Sequence, residues 1–95
     1  MSNTRLEVIL KGRVQGVGFR FFTMRLACRY KLTGQVRNTG IDKVEVIAEG
    51  PENILKAFLK ELSLGPSSAR VNEVKSYWNN ATGEFDKFQI TYEER

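Results

Sequence analysis

Arg5-Leu6-Glu7-Val8-Ile9-Leu10-Lys11-Gly12-Arg13-Val14-Gln15-Gly16-Val17-Gly18-Phe19-Arg20-Phe21-Phe22-Thr23-Met24-Arg25-Leu26-Ala27-Cys28-Arg29-Tyr30 changes its hydrophobic period once, and that change decides the fold. Up to Lys11 the period is two. Leu6, Val8 and Leu10 fall on one face and Arg5, Glu7 and Lys11 on the other, as in a half-buried strand. Gly12 ends the strand. From Phe19 the period is that of a helix: Phe22, Leu26 and Tyr30 recur four apart with Arg25 and Arg29 between them, which predicts an amphipathic helix.

Downstream, Thr33 to Asn38 and Lys43 to Glu49 read as strands, the second alternating Val44, Val46 and Ala48 against Lys43, Glu45 and Ile47. Asn38 to Asp42 is short and polar enough for a hairpin turn. Gly50-Pro51-Glu52 opens a second helix, because proline suits the first turn and an early carboxylate suits the positive end of the dipole. Its apolar stripe is Ile54, Leu55, Phe58, Leu59 and Leu62. Leu64-Gly65-Pro66-Ser67-Ser68 breaks the helix, and Val71 to Trp78 and Phe85 to Tyr92 are two more strands separated by residues 79–83. The order β-α-β-β-α-β plus a terminal strand predicts an α+β chain. The expected form is a ferredoxin-like split βαβ sandwich: an antiparallel sheet of four to five strands with two helices on one face. That fold hosts unrelated activities, so function has to come from a site.

Ninety-five residues make one domain, residues 1–95, which buries only somewhat more than about 60% of its unfolded surface. With 41% apolar and 27% charged residues it has the make-up of an ordinary soluble protein. No apolar run reaches the roughly 20 residues of a membrane span, and Met1-Ser2-Asn3-Thr4 carries no apolar signal region, so a cytoplasmic protein is expected. Asn80-Ala81-Thr82 is then an idle glycosylation sequon. The single cysteine, Cys28, has no internal partner and reads as a small buried thiol beside Ala27 rather than a reactive one. The net charge of +4 favours anions without choosing among phosphates, nucleic acids and lipids. The absence of histidine excludes more: the commonest proton shuttle, His-containing metal sites and Ser-His or Cys-His nucleophile pairs.

Chemistry concentrates in residues 12–20. Three glycines let the backbone turn tightly, and successive amides can form a nest where strand gives way to helix. A nest at a helix N-terminus suits phosphate, and Arg20 can add a two-pronged fork. The spacing is neither a Walker loop nor a dinucleotide fingerprint. On these residues alone three readings stay open: a phosphate-binding loop, a glycine-rich connection without ligand, or a nucleic-acid contact. Asn38 is equally open, as the start of a turn or as a group with chemistry to do.

Gly12-Arg13-Val14-Gln15-Gly16-Val17-Gly18-Phe19-Arg20, then Gly34-Gln35-Val36-Arg37-Asn38, Val44-Glu45-Val46 and Gly65-Pro66-Ser67-Ser68-Ala69-Arg70-Val71, resembles the motif set of the acylphosphatase family in order and spacing. The resemblance runs from about Arg5 to Tyr92. It implies a ferredoxin-like fold in which Arg20 binds the phosphoryl group together with the amides of Gln15, Gly16, Val17, Gly18, Phe19 and Arg20. It also implies that Asn38 positions the attacking water. Three places depart from the family's pattern: Gln35 for a common aromatic, Lys31 for a frequent glycine after the first helix, and Thr39-Gly40-Ile41-Asp42-Lys43 for an Asp-Gly turn.

The available side chains suit that reaction. An acyl phosphate expels a carboxylate whose conjugate acid has a pKa of about 4, so a histidine acid is unnecessary. A loose phosphoryl-transfer transition state asks for positioning and charge stabilisation, which an arginine and oriented amides supply. Two alternatives are a non-catalytic phosphate-binding domain and an RNA-binding module of the same fold. Arg13, Arg20, Arg25, Arg29 and Arg37 lack the interleaved aromatics of an RNA-binding sheet, and Arg25 and Arg29 read as a solvated helix face. Tyr77, Trp78 and Phe88 read as sheet and core residues, one of them a candidate for the acyl side. The acidic residues show no metal-ligand spacing, so neither metal nor cofactor is expected. The expected partner is a small acyl phosphate, with no nucleic acid and no membrane, bound by a monomer.

Overall fold

The structure, a computed structural model, describes residues 3–92. The elements are β1 (Thr4–Arg13), α1 (Phe19–Arg29), β2 (Thr33–Thr39), β3 (Lys43–Gly50), α2 (Glu52–Leu64), β4 (Arg70–Asn80) and β5 (Phe88–Ile90). The expected order is present. The reading of Met1 and Ser2 as the start of a chain without a signal region lies outside the described residues.

Five strands form one sheet in the order β4-β1-β3-β2-β5. Pairing is antiparallel among the first four, with Leu6, Val8 and Leu10 opposite Ala48, Val46 and Val44. All six of those side chains are fully buried, so alternation and register agree on which face carries the core. β5 lies parallel to β2, which makes the sheet mixed. It is also shorter than the sequence suggests, because residues 81–87 form a loop before the ladder resumes at Phe88.

Both helices close the core on that face. From α2 come Leu55, Phe58 and Leu62, flanked by Ile54 and Leu59, as the stripe predicts. In α1 the buried residues are Phe19, Thr23, Leu26 and Ala27, so the stripe is centred one step away from the expected Phe22 and Tyr30, which are half-buried. Thr23 is tolerated because its hydroxyl donates to the Phe19 carbonyl at 2.9 Å. Cys28 is exposed, contrary to the expected buried thiol: it sits a further 100° or so around the helix from Ala27, beyond the buried arc. Tyr77 and Trp78 are likewise not core residues. They lie on β4, a sheet edge, at 50% and 38% exposure, and only Phe88 of the three is buried.

Lys31 takes φ 59°, the left-handed conformation that glycine adopts at no cost. The loop after β4 is pinned by Glu49. Its carboxylate accepts from the Thr82 N–H at 2.9 Å, the Gly83 N–H at 2.9 Å, the Thr82 hydroxyl at 3.0 Å and Arg5 Nη1 at 3.1 Å. Arg5 also binds Glu7 and Glu84, each at 2.9 Å, and lies over the Phe85 ring at 5.7 Å. Burial pushes the Glu49 carboxyl up, but these hydrogen bonds outweigh it and hold the group below the ordinary carboxylate value. Thr82, which reads in sequence only as part of a sequon, is the clasp of this loop.

Candidate active site

Topology brings three chain segments to one end of the sheet. β1 and β2 both run antiparallel to β3, and β5 runs parallel to β2, so all three strands point the same way. Their C-terminal ends therefore lie together. The end of β1 delivers residues 14–18 and the start of α1; the end of β2 delivers Asn38; the end of β5 delivers Ile90 and Tyr92.

Residues 14–18 cross from β1 to α1 in a conformation that two glycines permit. Gly16 has φ 74° and Gly18 φ 76°, while no neighbour lies within 4 Å of where a Cβ would stand at either. Their glycines answer a backbone requirement, not crowding. Gly18 is also the N-cap of α1 and offers the helix no side-chain cap, and the first turn carries no acidic residue. By contrast α2 has Glu52 in its first turn. The N-terminal amides of α1 are thus left for an external acceptor, with the positive end of the dipole unopposed.

The sequence-predicted residues divide here. Gly16, Gly18, Phe19, Arg20 and Asn38 line one open cavity of about 170 Å³, together with Val14, Phe21, Ile90 and Tyr92. Gln15 and Val17 do not line it. The Gln15 amide nitrogen reaches the carbonyls of Thr39 at 3.3 Å, Gly40 at 3.2 Å and Lys43 at 2.9 Å, tying the loop to the β2–β3 hairpin that carries Asn38. Val17 packs against the core, and its carbonyl accepts from the Ser68 hydroxyl at 3.0 Å. These two hold the loop in place, a role that loop composition does not reveal.

Arg20 and Asn38 differ from their surroundings in their partners. Arg5, Arg29 and Arg37 each face a carboxylate; among the described residues Arg20, like Arg13, Arg25 and Arg70, has none in ion-pair range, and of these four it alone lines the cavity. Its guanidinium lies over the Tyr92 ring at 5.3 Å. Asn38 Oδ1 is buried without a hydrogen-bond partner, one of two such side-chain atoms among the described residues, the other being Thr91 Oγ1. An unpaired buried acceptor costs about 1–3 kcal/mol, which marks Asn38 as set for something other than stability. A larger hollow of about 340 Å³ between α1 and α2 shares only Gly18 and Phe21 with this cavity. Among the described residues no three of His, Cys, Asp and Glu gather where a cation would be held, and no helix is long and apolar enough to cross a membrane.

Comparison with known proteins places this arrangement. The acylphosphatase family model matches residues 6–90. An acylphosphatase of Bacillus licheniformis is 46% identical over 86 residues, covering 90% of this chain and 96% of that protein. One from Pseudothermotoga lettingae is 48% identical over 85 residues, covering 90% and 94%. The crystal structure of acylphosphatase from Bacillus subtilis superposes with a TM-score of 0.89 at 36% identity, covering 94% of this chain and 99% of that one. A family match over nearly the whole chain, relatives of the same length and the same fold agree: the chain belongs to the acylphosphatase family.

Proposed function

We propose that the enzyme hydrolyses acyl phosphates without a metal ion, with the phosphoryl group held by Arg20 and the amides of the 15–20 loop and the water positioned by Asn38. The observation that carries this is the donor set of the cavity: an arginine with no carboxylate partner among the described residues, a helix N-terminus without a side-chain cap and an asparagine whose buried oxygen is unpaired, all lining one hollow. Two guanidinium donors and successive amides fit the equatorial oxygens of a phosphoryl group, whose charge spreads in the transition state. Asn38 supplies an acceptor and a donor without adding negative charge against the substrate.

The reaction balances on these groups. Water oxygen bonds to phosphorus as the bond from phosphorus to the acyl oxygen breaks, its electron pair leaving with the carboxylate. The water's proton passes to a phosphate oxygen, giving inorganic phosphate. No protein group has to titrate near neutrality, in keeping with a chain that has no histidine. The setting that fits is a cytoplasmic monomer acting on a small molecule.

Steady-state hydrolysis of benzoyl phosphate with EDTA present tests this reading. Wild type turns over. Arg20→Ala and Asn38→Ala, confirmed as folded, each fall by about a hundredfold or more in kcat. A folded wild type without turnover favours the phosphate-binding alternative instead.

A further inference from the structure

The polar wall of the cavity is fully assigned by the reading above, and what it leaves is apolar. Phe21, Ile90 and Tyr92 line the same hollow as Arg20 and Asn38, and none of them has a part in binding phosphate. Phe21 is steadied by Arg25, whose guanidinium lies 5.6 Å from the ring centre. Ile90 is fixed by β5, in register with Val36, while the Thr91 N–H donates to the Val36 carbonyl at 2.9 Å. Tyr92 comes two residues after Ile90 and is 72% exposed, yet the Arg20 guanidinium carbon lies over its ring, 5.3 Å from the centre. An aromatic face attracts a cation without neutralising it or occupying its N–H donors, which lie in the guanidinium plane. The contact therefore leaves the charge of Arg20 for phosphate, and Tyr92 lines the same cavity that the substituent on that phosphate has to share.

We propose that Tyr92, with Phe21 and Ile90, is the acyl-recognition wall, and that Tyr92 makes the enzyme prefer acyl phosphates with a flat or branched apolar acyl group over those of short acids. This rests on the phosphate being held by Arg20 and the loop. The acyl carbon skeleton then has one apolar surface within the cavity to cover, and covering it removes both surfaces from water. A flat acyl group gains the ring contact as well. A short acyl group reaches little of the wall and gains little from it.

The test compares kcat/KM for benzoyl phosphate and acetyl phosphate in wild type, Tyr92→Phe and Tyr92→Ala, with inorganic phosphate as a competitive inhibitor of each. In Tyr92→Ala the benzoyl-to-acetyl ratio drops by about tenfold, the scale of one aromatic contact, while Tyr92→Phe keeps the wild-type ratio. An equal loss on both substrates with weaker phosphate inhibition overturns the proposal and reduces Tyr92 to a support for Arg20. A wild type with no preference between the two overturns it as well. Absence of turnover on both substrates strikes the hydrolase reading itself and this inference with it. Because Tyr92 is exposed, urea midpoints close to wild type are expected for both variants, and they separate these outcomes from misfolding.

Discussion

Two places in this small molecule are built from the same parts: successive backbone amides at a bend, an arginine and an aromatic ring lying on that arginine. At one, Thr82 and Gly83 point their N–H groups at Glu49, joined by Arg5, which lies over Phe85. At the other, the 16–20 loop and Arg20, which lies over Tyr92, face an open cavity. The first is an anion site whose anion belongs to the chain. The second has the donors and, among the described residues, no carboxylate paired with its arginine. The comparison teaches that donor chemistry alone does not separate a clasp from an active site; what separates them is whether the fold supplies the acceptor.

Exchanging the roles of the two arginines gives the largest expected effects. Arg20→Ala costs about two to three orders of magnitude in kcat/KM for benzoyl phosphate and leaves the urea midpoint near that of wild type. Arg5→Ala does the reverse: it removes one donor from a buried carboxylate and lowers stability by about 2 kcal/mol, while kcat/KM stays within about twofold. Parallel activity and denaturation measurements decide it. If Arg20→Ala proved the more destabilised, or folded Arg5→Ala the less active, the division into clasp and active site would fail.

A smaller effect sharpens the same point through pH. Glu49 is held below its ordinary value, so the native state favours the ionised form and the clasp contributes its full stability above the unfolded carboxylate pKa. That contribution is lost as pH falls through the lowered native value, over a window that opens at about pH 5 and reaches below the ordinary carboxylate value. Stability measured against pH therefore declines in wild type across that window. In Glu49→Gln it starts lower and declines less steeply, and identical slopes in the two proteins would remove Glu49 from the account of acid sensitivity.

The same comparison explains what could be read from the sequence. β1, both hairpin strands and α2 were legible because one apolar face dictates each, and Leu6, Val8 and Leu10 have nowhere else to go. The glycines of residues 12–18 announced a special backbone, and the frequent family glycine that Lys31 replaces corresponds to a left-handed φ in the structure. The clasp was not legible: Glu49, Thr82 and Arg5 come together through register and a loop, and no local pattern ties them. Nor was the acyl wall, since Ile90 and Tyr92 reach the cavity only because β5 turns out parallel to β2. Tyr77 and Trp78 misled for a related reason. As strand neighbours they face opposite sides of the sheet: Trp78, opposite Leu6, is on the core side but at the edge, so part of it stays in water, and Tyr77, opposite Glu7, is on the other face. Periodicity reports which residues share a face; it does not report where the sheet ends.

The smallest predicted effect bears most directly on the difference between the two sites. If the 16–20 loop and Arg20 form a phosphate site, inorganic phosphate binds the native state and not the unfolded chain, and it raises the melting temperature with concentration. At ten times the dissociation constant the gain is about 1.4 kcal/mol, enough to shift a domain of this size by several degrees. Arg20→Ala loses that shift because half of the donor set is gone, whereas Glu49→Gln keeps it in full, since phosphate does not compete for amides that a carboxamide oxygen still occupies. Chloride at equal ionic strength is the control for general screening, which acts on both sites alike. A phosphate shift that survived Arg20→Ala and vanished in Glu49→Gln would invert the assignment of the two sites.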